Sequence, residues 1–161
     1  MILDFRTTGP ADWTLVNDDV MGGRSTSRLT VTEAGTGVFS GFVSLENNGG
    51  FASTRAPVAA PDLAERRGVV LRVRGDGRSY QLRFRMDTSS RGLAYKAEFD
   101  TRADVWQEIS IPFGDFQATF RGHHPPGAPP LDPGEIRQIG FLIADGKEGP
   151  FRLEVAWMKA E

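Results

Sequence analysis

The chain has 161 residues, with 19 basic and 21 acidic side chains and a formal net charge of −2. That balance excludes a strongly basic nucleic-acid binder and an acidic tail protein. A 39% hydrophobic content with 11 Phe and 3 Trp excludes a disordered chain. The absence of cysteine excludes a disulfide framework, a thiolate metal centre and a cysteine nucleophile.

The length predicts one domain over residues 1–161, large enough to bury a core without covalent staples. Met1 to Pro10 carries Asp4 and Arg6 and lacks the basic-then-apolar pattern of a signal peptide. No apolar run approaches the ~20 residues of a membrane span. A cytoplasmic protein is the expectation.

In chain order, the first predicted strand is Ser25–Thr32. Phe39, Gly41, Val43 and Leu45 then share one face of a second. Asp62–Arg67 reads as a short helix, with Asp62 as its N-cap after Pro61. Val69–Arg74 is a strand, and Gly75-Asp76-Gly77 after it carries the signal of a hairpin turn. Tyr80, Leu82, Phe84 and Met86 alternate with polar residues, as do Tyr95, Ala97 and Phe99. Val105–Ile111 follows. His123 to Pro133 holds five of the ten prolines and reads as a surface loop. Ile136–Ile143 and the alternating Phe151, Leu153, Val155 and Trp157 complete the set. Many short strands with turn signals between them predict an all-β sandwich or barrel.

Catalytic and metal signatures are sparse. The only histidines, His123 and His124, are adjacent and have no third ligand at zinc spacing. There is no Gly-x-Ser-x-Gly elbow and no dinucleotide or phosphate loop. Asp18-Asp19 lacks the spacing of a calcium loop and reads as a capped turn. No catalytic residue, metal ligand or cofactor is expected. A hydrolase with two carboxylates from distant strands is the minority alternative.

Two segments resist a purely structural account: Asn17-Asp18-Asp19-Val20-Met21-Gly22-Gly23-Arg24-Ser25 and Glu46-Asn47-Asn48-Gly49-Gly50-Phe51-Ala52-Ser53-Thr54-Arg55. Each joins Asn or Asp to a Gly-Gly pair and a following Arg. Either they are turns whose side chains satisfy one another, or they build a ligand or partner site from Asn17, Asp18, Asp19, Met21, Arg24, Asn47, Asn48 and Arg55. In both cases Asn17, Asp18 and the Asn47–Gly50 turn should lie together at one edge of the sandwich.

The first segment resembles the opening signature of the complex I intermediate-associated protein 30 family. The resemblance continues through Phe39–Ser53 and Arg55, Arg74–Tyr80, Trp106, Ile111-Pro112-Phe113, Phe116, Phe120-Arg121-Gly122, Ile139-Gly140-Phe141 and Gly149-Pro150-Phe151. It implies a jelly-roll β-sandwich of the galactose-binding-domain-like type. It also implies a non-catalytic, chaperone-like assembly factor for a respiratory complex I-type membrane complex, with a protein partner and no catalytic residues to carry over. Mitochondrial members have that role, and plant relatives support photosystem biogenesis. This compact chain resembles a stand-alone bacterial-type version, cytoplasmic or peripheral to the inner membrane.

A simple hairpin at Gly75 to Arg78 would place Arg72, Arg74, Arg83 and Arg85 on one sheet face. Lys96, Glu98, Trp106 and Glu108 would follow on the next strands. Arg83 and Trp106 are the binding residues expected there, for protein contact or, alternatively, for a sugar stacked on the aromatic ring of a concave face.

Overall fold

A computed structural model describes residues 2–7, 9–18, 22–58, 63–87, 92–120 and 123–161, apart from the Asn48 side chain. Among them are twelve strands: β1 (Leu3–Asp4), β2 (Thr14–Asn17), β3 (Thr26–Val31), β4 (Gly37–Val43), β5 (Ala52–Pro57), β6 (Gly68–Arg74), β7 (Ser79–Arg85), β8 (Ala94–Asp100), β9 (Trp106–Pro112), β10 (Gln117–Thr119), β11 (Gln138–Ile143) and β12 (Gly149–Ala160). They form two antiparallel sheets. Sheet A runs β3-β4-β12-β6-β9, with β1 also paired to β12, and sheet B runs β10-β8-β7-β11-β5-β2. This is the all-β jelly-roll sandwich that the alternation and the resemblance led us to expect.

The core lies between the sheets. Phe39, Val69, Leu71, Val73, Leu153 and Met158 from sheet A meet Tyr80, Leu82, Phe84, Tyr95, Ile139 and Phe141 from sheet B. Phe84 packs against Phe116 at a centroid distance of 5.0 Å, and Trp13 stacks on Phe5 at 5.6 Å. Burial of these alternating faces, at about 25 cal/mol per Å², is the main drive for closing the sandwich.

Three expectations are corrected. Gly75 to Arg78 is not a hairpin. Strand β6 pairs with β12 and β9, whereas β7 pairs with β8 and β11, so the turn crosses from one sheet to the other. A two-residue turn and a crossover use the same glycine chemistry, so local sequence does not separate them. The helix expected at Asp62–Arg67 is also missing. Pro61 and Asp62 lie outside the described residues, and Leu63 to Arg67 form a turn with Arg66 N–H donating to Leu63 C=O at 3.0 Å. Finally, the inward alternation of β12 changes phase. A bulge between Val155 and Trp157 turns Trp157 outward and buries Met158.

Candidate functional site

Asn17, Asp18 and the Asn47–Gly50 turn do come together, through Asp18. This carboxylate is fully buried, with 0% exposure. Its Oδ1 accepts from Ser25 N–H at 2.9 Å, and its Oδ2 accepts from Ser25 Oγ at 2.6 Å, Gly50 N–H at 2.7 Å and Phe51 N–H at 3.3 Å. Burial opposes the charge, but these donors outweigh it and hold the carboxyl below its ordinary range. Ser25 Oγ also accepts from Ser44 N–H at 2.9 Å. Asn17 Oδ1 accepts from Ser27 Oγ at 2.7 Å and Ser53 N–H at 3.3 Å. Asn47 Nδ2 donates to Gly22 C=O at 3.0 Å.

The two Gly-Gly pairs now have a physical reason. In each, one glycine has left-handed backbone (Gly22 at φ +88°, Gly50 at φ +128°). The other, Gly23 or Gly49, lies where a Cβ would overlap the Asp18 carboxylate. The motif is therefore a clasp that ties the two loops to one buried anion. With three donors on Oδ2, one on Oδ1 and no solvent access, the Asp18 carboxylate serves the fold. Arg24 pairs with Glu46 at 3.4 Å, both well exposed, a contact of little energetic weight. The expected site residues Asp19 and Met21 lie outside the described residues, as does the Asn48 side chain.

The remaining candidates fall on opposite faces. Trp106 is on the outer face of sheet A, where Glu154, Arg74 and Trp106 are cross-strand partners. The Arg72 and Arg74 guanidiniums each lie 5.2 Å from the Trp106 ring centroid. These cations are neutralised: Arg72 by Glu108 at 3.4 Å, and Arg74 by Glu154 at 2.7 Å. Glu154 is buried, which opposes its charge. The Thr36 hydroxyl and the Arg74 guanidinium still hold its carboxyl below the ordinary value.

Arg55 and Arg83 lie on the outer face of sheet B. The register places Arg55, Gly140, Arg83 and Lys96 in one cross-strand row, with Arg85 beside Gln138 in the next. Glycine at position 140 leaves the row a low floor. The face is recessed: the outward-facing Gln81 and Leu142 are only 8% and 7% exposed. Ser53, Arg55, Arg83, Arg85, Gln138 and Gly140 line a depression there. A second one, over Ser79, Gln81, Glu98 and Asp145, continues it along β7.

The electrostatics of this trough differ from those of sheet A. Arg83 donates through Nε and Nη2 to Gln81 Oε1, at 3.0 and 2.8 Å. Arg85 donates to Gly92 C=O at 2.9 Å. Among the described residues no carboxylate is within ion-pair distance of Arg55, Arg83 or Arg85, although the charge of Asp87 acts on Arg85 from further away, and Arg55 makes no side-chain hydrogen bond. The buried Gln138 Oε1 is likewise without a donor. Burial lowers all three arginines, and Arg83, with the charge of Arg85 alongside, falls to about 10. The sequence analysis selects Arg55 and Arg83 and puts Arg85 on the face of Arg83, but does not select Gln138 and Gly140. Their signal was the alternation of β11, which carries Gln138, Gly140 and Leu142 to the same outward face.

Among the described residues there is no group of three or more His, Asp or Glu side chains placed to hold a metal ion. No helix is long and apolar enough to cross a membrane.

Comparison with solved structures finds a family 11 carbohydrate-binding module from Clostridium thermocellum, in complex with a β-1,3-1,4-mixed-linked tetrasaccharide. It has a TM-score of 0.66 and 18% identity, covering 96% of this chain and 93% of that one. At that identity the likeness concerns the fold. Among curated proteins, a mitochondrial complex I intermediate-associated protein 30 from Drosophila melanogaster is 28% identical over all of this chain and 62% of its own length. A namesake from Mus musculus is 38% identical over 53% of this chain and 27% of its own length. The chain thus spans less than two thirds of these relatives. The sequence profile of complex I intermediate-associated protein 30 matches residues 3–155, and the chain belongs to that family.

Proposed function

We propose that the chain is a non-catalytic binding module that assists assembly of a complex I-type respiratory complex by protein contact. The contact surface in this reading is the recessed outer face of sheet B. One observation supports it above others: among the described residues Arg55 and Arg83 are held partly out of water with no carboxylate partner, and Arg85 beside them is offset only by the more distant charge of Asp87. Like charges held together in this way oppose folding, and a partner carrying the opposite charge relieves the repulsion. Arginine is also enriched at the energetic centres of protein interfaces. The names of the curated relatives supply the kind of partner.

A photo-crosslinking residue at Ser53, on this face, tests the proposal in cells. The expected result is covalent capture of subunits of a respiratory complex. The same probe at Ser110, on the opposite sheet, should capture none. Equal capture from both positions, or none from Ser53, would overturn it.

The runner-up reading is a sugar bound on the same face. The Gln81 and Gln138 amides beside the arginines favour it. The outward positions of the sheet B strands carry no aromatic ring to cover a sugar face, and this places protein contact first.

A further inference from the structure

We propose that the sheet B trough takes an extended acidic segment of the protein partner, with carboxylates seated on Arg55 and Arg83. This rests on the protein-contact reading above and adds the chemistry of what is bound.

The argument is one of donors and acceptors. A guanidinium carries five N–H donors in a planar fork that matches a carboxylate. Among the described residues, Arg83 directs two bonds to Gln81 Oε1, Arg85 directs one to Gly92 C=O, and Arg55 directs none. Among the described residues the donors of Arg55, and most of those of Arg83, meet no acceptor, in a recess where a bound anion would be only partly screened.

The trough is also polar along its length. Arg85 and Ser79 lie at opposite ends of β7, about 20 Å apart at the rise of an extended strand. The Ser79 end is lined by Glu98 and Asp145, and Asp145 is already satisfied by Arg78 at 2.7 Å. Because Asp87 already attracts Arg85, an acidic segment fits with its carboxylates centred on the Arg55–Arg83 row and neutral or basic residues towards Glu98. A uniformly anionic polymer would meet Glu98.

The test uses the full chain and a fluorescein-labelled peptide with three consecutive Glu followed by Ser and Lys, read by anisotropy. Saturable one-to-one binding that weakens with salt is expected. Arg55→Gln, which breaks no hydrogen bond among the described residues, should weaken it by about ten-fold, as should Arg83→Gln. Arg72→Gln, on the opposite sheet, should leave it unchanged. Equal loss with Arg72→Gln, or tighter binding of polyphosphate or polygalacturonate than of the peptide, would overturn the inference. Failure of the peptide to bind while Ser53 still crosslinks to a respiratory subunit would refute the acidic chemistry alone. Peptide binding that Arg55→Gln abolishes, with no such crosslink, would support the acidic site and refute the assembly role.

Discussion

Replacing Asp18 by Asn tests whether the segment from Asn17 to Ser25 serves the fold or a ligand. The amide is nearly isosteric, so packing is preserved and only hydrogen bonding changes. In its better orientation the Asn oxygen takes the place of Oδ2, facing Ser25 Oγ, Gly50 N–H and Phe51 N–H. Its NH2 group then faces Ser25 N–H, donor against donor, across what was a 2.9 Å bond. One buried donor is left unpaired, at about 1–3 kcal/mol, and three bonds to a charged acceptor become bonds to a neutral one. A total near 3 kcal/mol corresponds to roughly 6–12 °C in melting temperature for a chain of this size. The pH dependence is the sharper signature. Asp18 titrates below its ordinary value when folded and near 3.9 when unfolded. The unfolded chain therefore takes the proton first. The stability Asp18 contributes is complete well above pH 4 and is lost as pH falls through that value towards the folded pKa. Asparagine has no such dependence, and the other acids are common to both proteins. Urea titrations at pH 7 and at pH 3.5 should show a wide gap that narrows in acid. Equal midpoints at pH 7, or a gap of unchanged size at pH 3.5, would refute the account of Asp18 as an internally satisfied anion.

Five further substitutions probe the clasp, the Arg78 network and the sheet A face. Gly22→Ala should cost about 1–2 kcal/mol, the strain of a left-handed alanine in otherwise open space. Gly23→Ala should cost more, because its methyl group displaces the Asp18 carboxylate; chemical denaturation ranks the two, and the reverse order contradicts the clasp. Arg78→Ala should cost roughly 3–5 kcal/mol, since Arg78 holds Asp145 through two bonds at 2.7 and 2.9 Å and also donates to the carbonyls of Lys147, Gly149 and Pro150. Arg78→Lys should recover only part of that, because an ammonium has no planar fork; full recovery in thermal melts would show that charge alone suffices. Trp106→Ala should lower stability by about 1–2 kcal/mol through loss of the two guanidinium contacts, with no change in crosslinking from Ser53.

The fold was legible wherever large apolar residues alternate with polar ones, as in Tyr80–Phe84 and Tyr95–Phe99. It was not legible in β5, whose inward residues are Ala52, Thr54 and Ala56. These small side chains give no hydrophobic signal, and the strand is held instead between β11 and β2. The pairing of sheets was also hidden. Arg74 and Arg83 are close in sequence and share an alternation phase, yet the crossover at Gly75 places them on opposite sides of the molecule. The gathering of Asn17, Asp18 and the Asn47–Gly50 turn was legible because residue type and spacing encode it. That Asp18 would serve the fold was not, because its donors are mostly backbone N–H groups, which every sequence possesses.

The position of β12 has a consequence for synthesis. Residues 149–160 form the middle of sheet A, hydrogen-bonded to β4 on one side and to β6 on the other, and they also pair with β1. Until this segment leaves the ribosome, β3-β4 and β6-β9 are two separate ribbons whose inner edges are unpaired, and β1 lacks the strand it pairs with. Closure of sheet A must therefore wait for β12, and until it is made the exposed strand edges invite pairing with other chains. A stop codon before Gly149 would remove more than one strand's worth of pairing: it would divide sheet A and leave an incomplete product for cellular quality control.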